Sequence, residues 1–265
     1  MSLRRLRTRL SDAVLWVAFG AILVFRYTPI VVVVLFSFDT NQVMSWPISG
    51  FTLDWYERFF QNEELITAFG NSIRVAVSSI VIGLLIGIPS ALAMDRYQFP
   101  GRGVYQKLLI LPFVIPGVLG GLTLLTVFLF ADVDLSLTTV TAAHATLVTA
   151  AVVLQMSVGL ARWDRGLEQA AMDLGANELR TFFSVTLPNL KSTIMGAILL
   201  GATLSLDEVT RTFFVTGSDN TAPMQVWSLL RQGITPEINA AATLLFVISI
   251  VLLGIWASTV KEEAS

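Results

Sequence analysis

Asp207, Glu208 and Arg211 are ionisable residues set inside an apolar run, in the outer half of a stretch from about 192 to 215. On a helix, Asp207 and Arg211 are four apart and Glu208 and Arg211 three apart, so both pairs can share a face. Ionised groups at that depth are costly unless paired or wet. Two compatible roles follow: an intrahelical ion pair, and a polar lining for a translocation path. The trio is net negative, which favours a cationic or zwitterionic solute. His144 is the only histidine; alone it makes no metal site, and a satisfied packing role is expected. There are no cysteines, which excludes disulfides and cysteine metal sites. No Ser-His-Asp set or paired-acid cleft supports an enzyme, and "GRG" at Gly101 lacks the Lys-Ser/Thr ending of a phosphate cradle. No nucleic-acid partner is expected.

The elements that must hold these groups are apolar helices. The 265 residues are 54% hydrophobic and 14% charged, with mean hydropathy +0.73, against about 25% charge in a soluble domain. Several apolar runs approach the ~20 residues that cross a bilayer. The fold class is all-α, a polytopic membrane protein forming a single transmembrane domain over 1–265. Six spans are expected at about 14–36, 68–94, 108–130, 137–160, 192–215 and 238–260. Pro112 and Pro116 should bend the third. Arg26 and Arg74 lie within spans, Arg74 near an end where it can snorkel. The arginines Arg4, Arg5, Arg7 and Arg9 precede the first run, which reads as a retained span rather than a cleaved signal. The polar stretch Ser37–Glu64 carries Trp46, Trp55 and Tyr56, suited to a membrane interface or a small capping segment.

Charge distribution sets an orientation. With both termini cytoplasmic, inside segments hold Arg4, Arg5, Arg7, Arg9, Arg96, Arg102, Lys107, Arg162, Arg165, Arg180, Lys191 and Lys261, twelve in all, while outside segments hold Arg58 and Arg231. Twelve against two is a strong positive-inside bias. It places the loop 161–191 in the cytoplasm.

Within that loop, Leu167 to Pro188 ("LEQAAMDLGANELRTFFSVTLP") alternates charge and apolar residues. Leu167, Ala171 and Leu174 recur at i, i+4 and i+7, so one face of a short helix is apolar. Gly175 can end that helix or allow a sharp turn. An amphipathic helix, a turn and a return to the membrane make a docking surface. Elsewhere, Gly83 with Gly87 and Gly117 with Gly121 have the small-residue spacing that permits close helix contacts.

The same loop resembles the EAA loop shared by membrane subunits of ABC-type importers. Glu168, Ala170, Ala171, Gly175, Phe183, Leu187 and Pro188 match its pattern, with one departure: the residue before the two alanines is Gln169, with Glu168 one place earlier, so charge is displaced rather than lost. The C-terminal part resembles permeases of the polyamine-type branch. Ser205, Asp207 and Glu208 match its acidic pair, Phe213, Phe214, Thr216 and Gly217 its aromatic and Thr-Gly segment, and Thr235, Pro236, Glu237 and Asn239 its "SPE-N" segment. Asn71, Ser72, Leu111 and Pro112 are also similar. Thr210 and Arg211 replace the small or apolar residues usual after the acidic pair.

The resemblance implies six transmembrane helices of the ABC importer permease type with a cytoplasmic coupling helix, in a bacterial inner membrane. It implies a non-catalytic subunit that binds no cofactor, ATP and magnesium residing on two cytosolic ATPases. The ATPase-coupling set would be Glu168, Gln169, Ala170, Ala171, Asp173, Gly175, Phe183, Leu187 and Pro188; the substrate pathway would include Ser205, Asp207, Glu208, Arg211 and Phe214. Other implied partners are a second, similar permease chain, an extracytoplasmic solute-binding protein, and a polyamine or related amine-containing solute. Alternatives are an anionic solute such as a phosphonate, admitted if Arg211 faces the path; a metal such as ferric iron; a secondary transporter not driven by ATP; and a membrane scaffold.

Overall fold

A computed structural model describes residues 3–233 and 235–262, with side chains described between Val14 and Ile255 except Gln232, Leu252 and Leu253. The side chains of Arg4, Arg5, Arg7, Arg9 and Lys261 therefore lie outside the described residues. The chain is helical: α1 (Leu3–Phe36), α2 (Asp54–Gln61), α3 (Glu63–Arg96), α4 (Arg102–Val114), α5 (Gly117–Phe130), α6 (Leu137–Ala161), α7 (Gly166–Asp173), α8 (Glu178–Thr181), a π-helical turn (Phe182–Thr186), α9 (Leu187–Asn189), α10 (Lys191–Leu206), α11 (Thr210–Val215), α12 (Ala222–Gln232) and α13 (Pro236–Glu262). Among the described residues the one departure from helix and loop is an isolated bridge, Asp39 to Phe51. Two compact units form, one from the chain up to Asn62 with Leu229–Phe246, the other from Glu63–Ser228 with the chain from Val247.

In the first unit, α1 runs 34 residues, about 50 Å at 1.5 Å per residue. No residue in the apolar window of its Val14–Phe36 stretch is fully buried within the chain. The segment after it is folded, not a slack loop. Trp55 is buried and its indole N–H donates to the Asp39 carbonyl (2.6 Å), while Ser37 and Tyr56 share a hydroxyl hydrogen bond (2.7 Å). Of the three aromatics expected there, Trp46 alone is fully displayed, 80% exposed. Asn62 Nδ2 donates to Glu237 Oε1 (3.0 Å), closing this unit onto the start of α13.

The second unit is built around α6. This helix carries no charged residue and many small ones, and it is buried on most sides, as a helix without a charged face can be. Ser136 and Thr139 form a capping box that fixes its start. The glycines expected to allow close contact do so. A Cβ on Gly83 would come within 2.7 Å of Val148, and one on Gly87 within 2.7 Å of Val152, so α3 lies on α6 with almost no gap. Gly201 brings α10 onto Val148 in the same way, at 2.9 Å. The core between them holds Ala91, Val148, Val152, Met156, Leu160, Leu190 and Ala197. A second cluster, Val75, Val140, Ala143 and Val215, is sealed by Leu124, Phe128, Leu137 and Phe214.

Three helices are long and apolar enough to cross a membrane among the described residues: Val14–Phe36, α3 and α6. Two bent pairs qualify jointly. The prolines expected to bend 108–130 split it into α4 and α5, which meet at 111°, with Pro116 at the junction. The segments Glu178–Asn189 and Lys191–Leu206 meet at 68°. Two expectations need correction. The run 192–215 is not one helix, because α10 ends at Leu206 and α11 begins at Thr210. The polar stretch 217–237 is not a plain loop, because it contains α12. The front of α12 is tied to α3: Ser72 Oγ accepts from the Ala222 N–H (2.8 Å), and Gln225 donates to Glu64 (3.1 Å).

Candidate functional site

The segment 161–191 is assembled from local signals. Asp164 Oδ1 accepts the Gly166 N–H (2.8 Å) at the start of α7. The end of α7 is a Schellman motif: the Ala176 N–H reaches the Ala171 carbonyl (3.1 Å) and the Gly175 N–H the Met172 carbonyl (2.9 Å). Gly175 occupies the required left-handed conformation, φ +90°. Asn177 then caps α8 by accepting from the Arg180 N–H (2.8 Å). The π-helical turn leads into Pro188, whose missing N–H interrupts the helical ladder, and Asn189 Nδ2 donates to the Val185 carbonyl (2.7 Å).

Charged groups fasten α7 to the end of α3. Arg96 Nη2 meets Glu168 Oε1 at 2.5 Å, and the Thr186 hydroxyl donates to the same oxygen at 2.6 Å. Arg165 Nη2 donates to the Asp95 carboxylate (2.8 Å) and to the Asp95 carbonyl (3.0 Å). Arg165 is 54% exposed, so its pair adds at most about 1 kcal/mol. The Glu168 contact is better shielded, its side chain being 12% exposed, and Thr186 is buried.

Glu168 therefore points into the fold, and the charge displaced to it from the position of Gln169 is paired within the chain. Gln169, Ala170, Asp173 and Pro188 are exposed, Ala171 and Leu187 half-buried, and Phe183 exposed. The apolar positions also face outward: Leu167 and Met172 are exposed, and Leu174 is 91% exposed. Leu174 lies just past the last turn of α7. The result is a short helix held from behind by ion pairs with an uncovered apolar front. Asp95, Arg96, Arg165 and Thr186 escaped the sequence reading of this segment; two oppositely ordered charge doublets, Asp95-Arg96 and Arg165 with Glu168, were the available signal.

The second candidate set surrounds the break between α10 and α11. Glu208 Oε1 accepts the Arg211 N–H (2.8 Å) and Oε2 meets Arg211 Nη1 at 2.7 Å. Arg211 Nη2 donates to the Pro112 carbonyl (2.7 Å). Its side chain is 6% exposed. Arg211 pairs with Glu208 and not with Asp207, since the helix that would have aligned Asp207 stops at Leu206. Asp207 is exposed. Ser205 is buried, and Phe214 packs against α5, where a Cβ on Gly121 would fall 2.6 Å from its ring.

His144 joins the two sides of this break. Its Nδ1 lies 2.8 Å from Ser205 Oγ on α10 and its Nε2 2.8 Å from Thr212 Oγ1 on α11. Thr212 spends its own proton on the Glu208 carbonyl (2.8 Å). Its oxygen must then accept from His144 Nε2–H, leaving Nδ1 to accept from Ser205. This is a neutral imidazole used as a two-sided connector. Among the described residues no three His, Asp or Glu side chains converge as metal ligands.

With this geometry in view, comparison with known proteins is direct. Residues 64–261 match the family model described as "Binding-protein-dependent transport system inner membrane component". The putrescine transport system permease protein PotI of Escherichia coli K12 is 35% identical over 230 residues, 83% of this chain and 81% of that protein. The spermidine/putrescine transport system permease protein PotC of Haemophilus influenzae is 32% identical over 231 residues, 86% and 89% of the two chains. A bacterial ABC transporter that imports the acidic polysaccharide alginate has the same fold, with TM-score 0.69 at 19% identity over 99% of this chain and 98% of that one. The chain belongs to the family of inner membrane components of binding-protein-dependent transport systems.

Proposed function

We propose that this chain is one permease subunit of an ATP-driven importer for a small amine-bearing solute of the polyamine class. Two cytosolic ATPases carry the ATP and magnesium, a second permease chain completes the path, and an extracytoplasmic binding protein delivers solute. The chain itself performs no catalysis. The relationship to PotI and PotC over more than four-fifths of the sequence supports the solute class. The observation that carries the coupling role is the construction of α7, fastened from behind through Glu168 and Arg165 with Leu167, Ala170 and Leu174 left uncovered. Such an apolar front on a polar segment is a surface for another protein.

Counting each bent pair as one crossing makes five crossings, and α13, with its apolar stretch Pro236–Val251, supplies the sixth. Both termini and the segment 161–191 are then cytoplasmic, in line with the distribution of Lys and Arg. Of the five pathway candidates, Asp207 carries the charge offered to solute. Ser205, Glu208 and Arg211 are committed to bonds within the chain and hold the break open around it, with Phe214 packed beneath. Because Arg211 is buried and paired, it does not cancel the Asp207 charge, which favours a cationic solute over an anion.

The test is uptake of labelled putrescine and spermidine by proteoliposomes holding the complete complex. ATP-dependent accumulation of either supports the proposal. Accumulation that persists without the ATPase subunits, or failure of both amines beside successful uptake of a phosphonate, overturns it.

A further inference from the structure

We propose that Glu168 is an internal positioning residue, a clasp that makes α7 and the cytoplasmic end of α3 move as one body, so that the stroke received by α7 enters the bundle through α3 as well as through the chain on either side of α7. This rests on the proposed docking of an ATPase on α7.

Three observations carry it. Glu168 Oε1 takes two donors, Arg96 Nη2 at 2.5 Å and the Thr186 hydroxyl at 2.6 Å, so one carboxylate ties α7 to α3 and to the π-helical turn that precedes α10. Arg165, three residues earlier, grips Asp95 through both its carboxylate and its carbonyl. The doublets run in opposite order, acid then base at the end of α3 and base then acid at the start of α7, so each charge meets its opposite. The outward residue at the same level is the neutral Gln169. The Glu168 carboxylate is thus spent on the fold, and the docking face relies on Leu167, Ala170 and Leu174.

The clasp has leverage because α3 is the long helix pressed on α6 through Gly83 and Gly87. A displacement of Arg96 cannot be absorbed by a loop. It shifts the α3–α6 contact and with it Val148, against which α10 also packs. Arg96 stays 31% exposed, so its pair with Glu168 is only partly shielded and its loss costs less than that of a fully buried pair; the expected consequence of breaking the clasp is lost coupling with the complex still assembled.

The experiment uses the complete complex in proteoliposomes and reads three quantities: retention of the ATPase subunits on purification, ATP hydrolysis, and solute moved per ATP. Glu168→Arg and Arg96→Glu should each keep the ATPase subunits and hydrolysis while lowering solute per ATP about fivefold or more. The double exchange R96E/E168R should recover most of that loss. In an R96C/E168C pair, the only cysteines in this chain, the reduced form should be uncoupled. A short bis-maleimide should restore coupling; the bridge replaces a disulfide because the Arg and Glu side chains together span more than a disulfide does. Single variants with wild-type solute per ATP overturn the clasp, as does a bridged pair that hydrolyses ATP but moves no solute. Failure of docking is a separate result: the ATPase subunits would then remain bound in an Ala170→Trp variant, which leaves the clasp untouched.

Discussion

Arg211 donates a hydrogen bond to the carbonyl of Pro112, 99 positions earlier in the chain, at 2.7 Å. In an uninterrupted helix that carbonyl would be served by the N–H of residue 116, which is a proline and has none. The guanidinium supplies the donor that Pro116 lacks, and the same side chain neutralises Glu208. The 111° corner between α4 and α5 and the break between α10 and α11 are therefore stabilised by one residue.

Arg211→Ala should destabilise the chain by about 3–5 kcal/mol, because it leaves Glu208 as a shielded, unpaired charge. The double variant E208A/R211A should be milder than the single one, since the stranded carboxylate goes too. Thermal unfolding of the purified complex in detergent, followed by tryptophan fluorescence, gives both values. A double variant less stable than Arg211→Ala would contradict the assignment.

Glycine contacts set the tolerance of the bundle to bulk. A Cβ at Gly87 would approach Val152 to 2.7 Å, and one at Gly121 would approach the Phe214 ring to 2.6 Å and the Arg211 backbone to 3.2 Å. Gly87→Leu and Gly121→Leu should each cost about 1–3 kcal/mol by overpacking. Gly217→Ala should be worse than either alanine substitution at those sites, since its Cβ would overlap the Leu135 carbonyl, a backbone atom that cannot rotate away. By contrast Gly103→Ala, where nothing lies within 4 Å, should be silent. Melting temperatures of Gly87→Leu and Gly121→Leu check those costs, and those of the alanine variants at Gly87, Gly121, Gly217 and Gly103 check the ranking.

These contacts also mark what could be read in advance. Gly83 with Gly87 and Gly117 with Gly121 are visible as spacings because helix periodicity alone puts them on one face. The pairing of Glu208 with Arg211 was likewise legible at a separation of three. The break that leaves Asp207 outside that pair was not, because Ser205 to Arg211 contains no Gly or Pro. The contact that accompanies it, Arg211 to the Pro112 carbonyl, joins residues 99 positions apart. The inward turn of Glu168 was hidden for the same reason: its partners Arg96 and Thr186 lie 72 and 18 residues away. Helix α12 was missed because turn-forming residues crowd both of its ends and mask the eleven helical ones between.

His144 should behave as a connector. Replacing it with Ala leaves the Ser205 and Thr212 hydroxyls facing each other across a gap, and should cost about 2 kcal/mol for the lost hydrogen bonds. His144→Asn keeps one donor and one acceptor and should recover part of that loss. If both variants unfold at the wild-type temperature, the bonds at 2.8 Å on either side of the ring contribute nothing.

Gly175 separates conformational from steric cost. Its φ of +90° is strained for any residue with a side chain, yet no atom lies within 4 Å of a built Cβ. Gly175→Ala should therefore weaken the end of α7 by about 1 kcal/mol through backbone preference alone, leaving assembly intact. Gly175→Trp adds bulk beside the exposed front of α7 and should uncouple transport from hydrolysis with the helices still inserted. Normal uptake by the tryptophan variant removes α7 from the docking role.

Asp207 decides whether the break is a solute station. It is the exposed acid beside a buried, internally compensated pair, so a passing ammonium would meet one uncompensated negative charge there. Asp207→Asn removes that charge with little change of shape. A charge-assisted hydrogen bond contributes about 1.5–3 kcal/mol, so uptake of putrescine should fall roughly tenfold or more at saturating loaded binding protein, with complex stability unchanged. Asp207→Glu keeps the charge and should retain most activity. In the proposed importer a binding protein would select solute before it reached this position, so the effect would belong in the maximal rate and not in the concentration giving half of it. An equal rate for the Asn variant would move the station elsewhere and leave Asp207 as a surface acid.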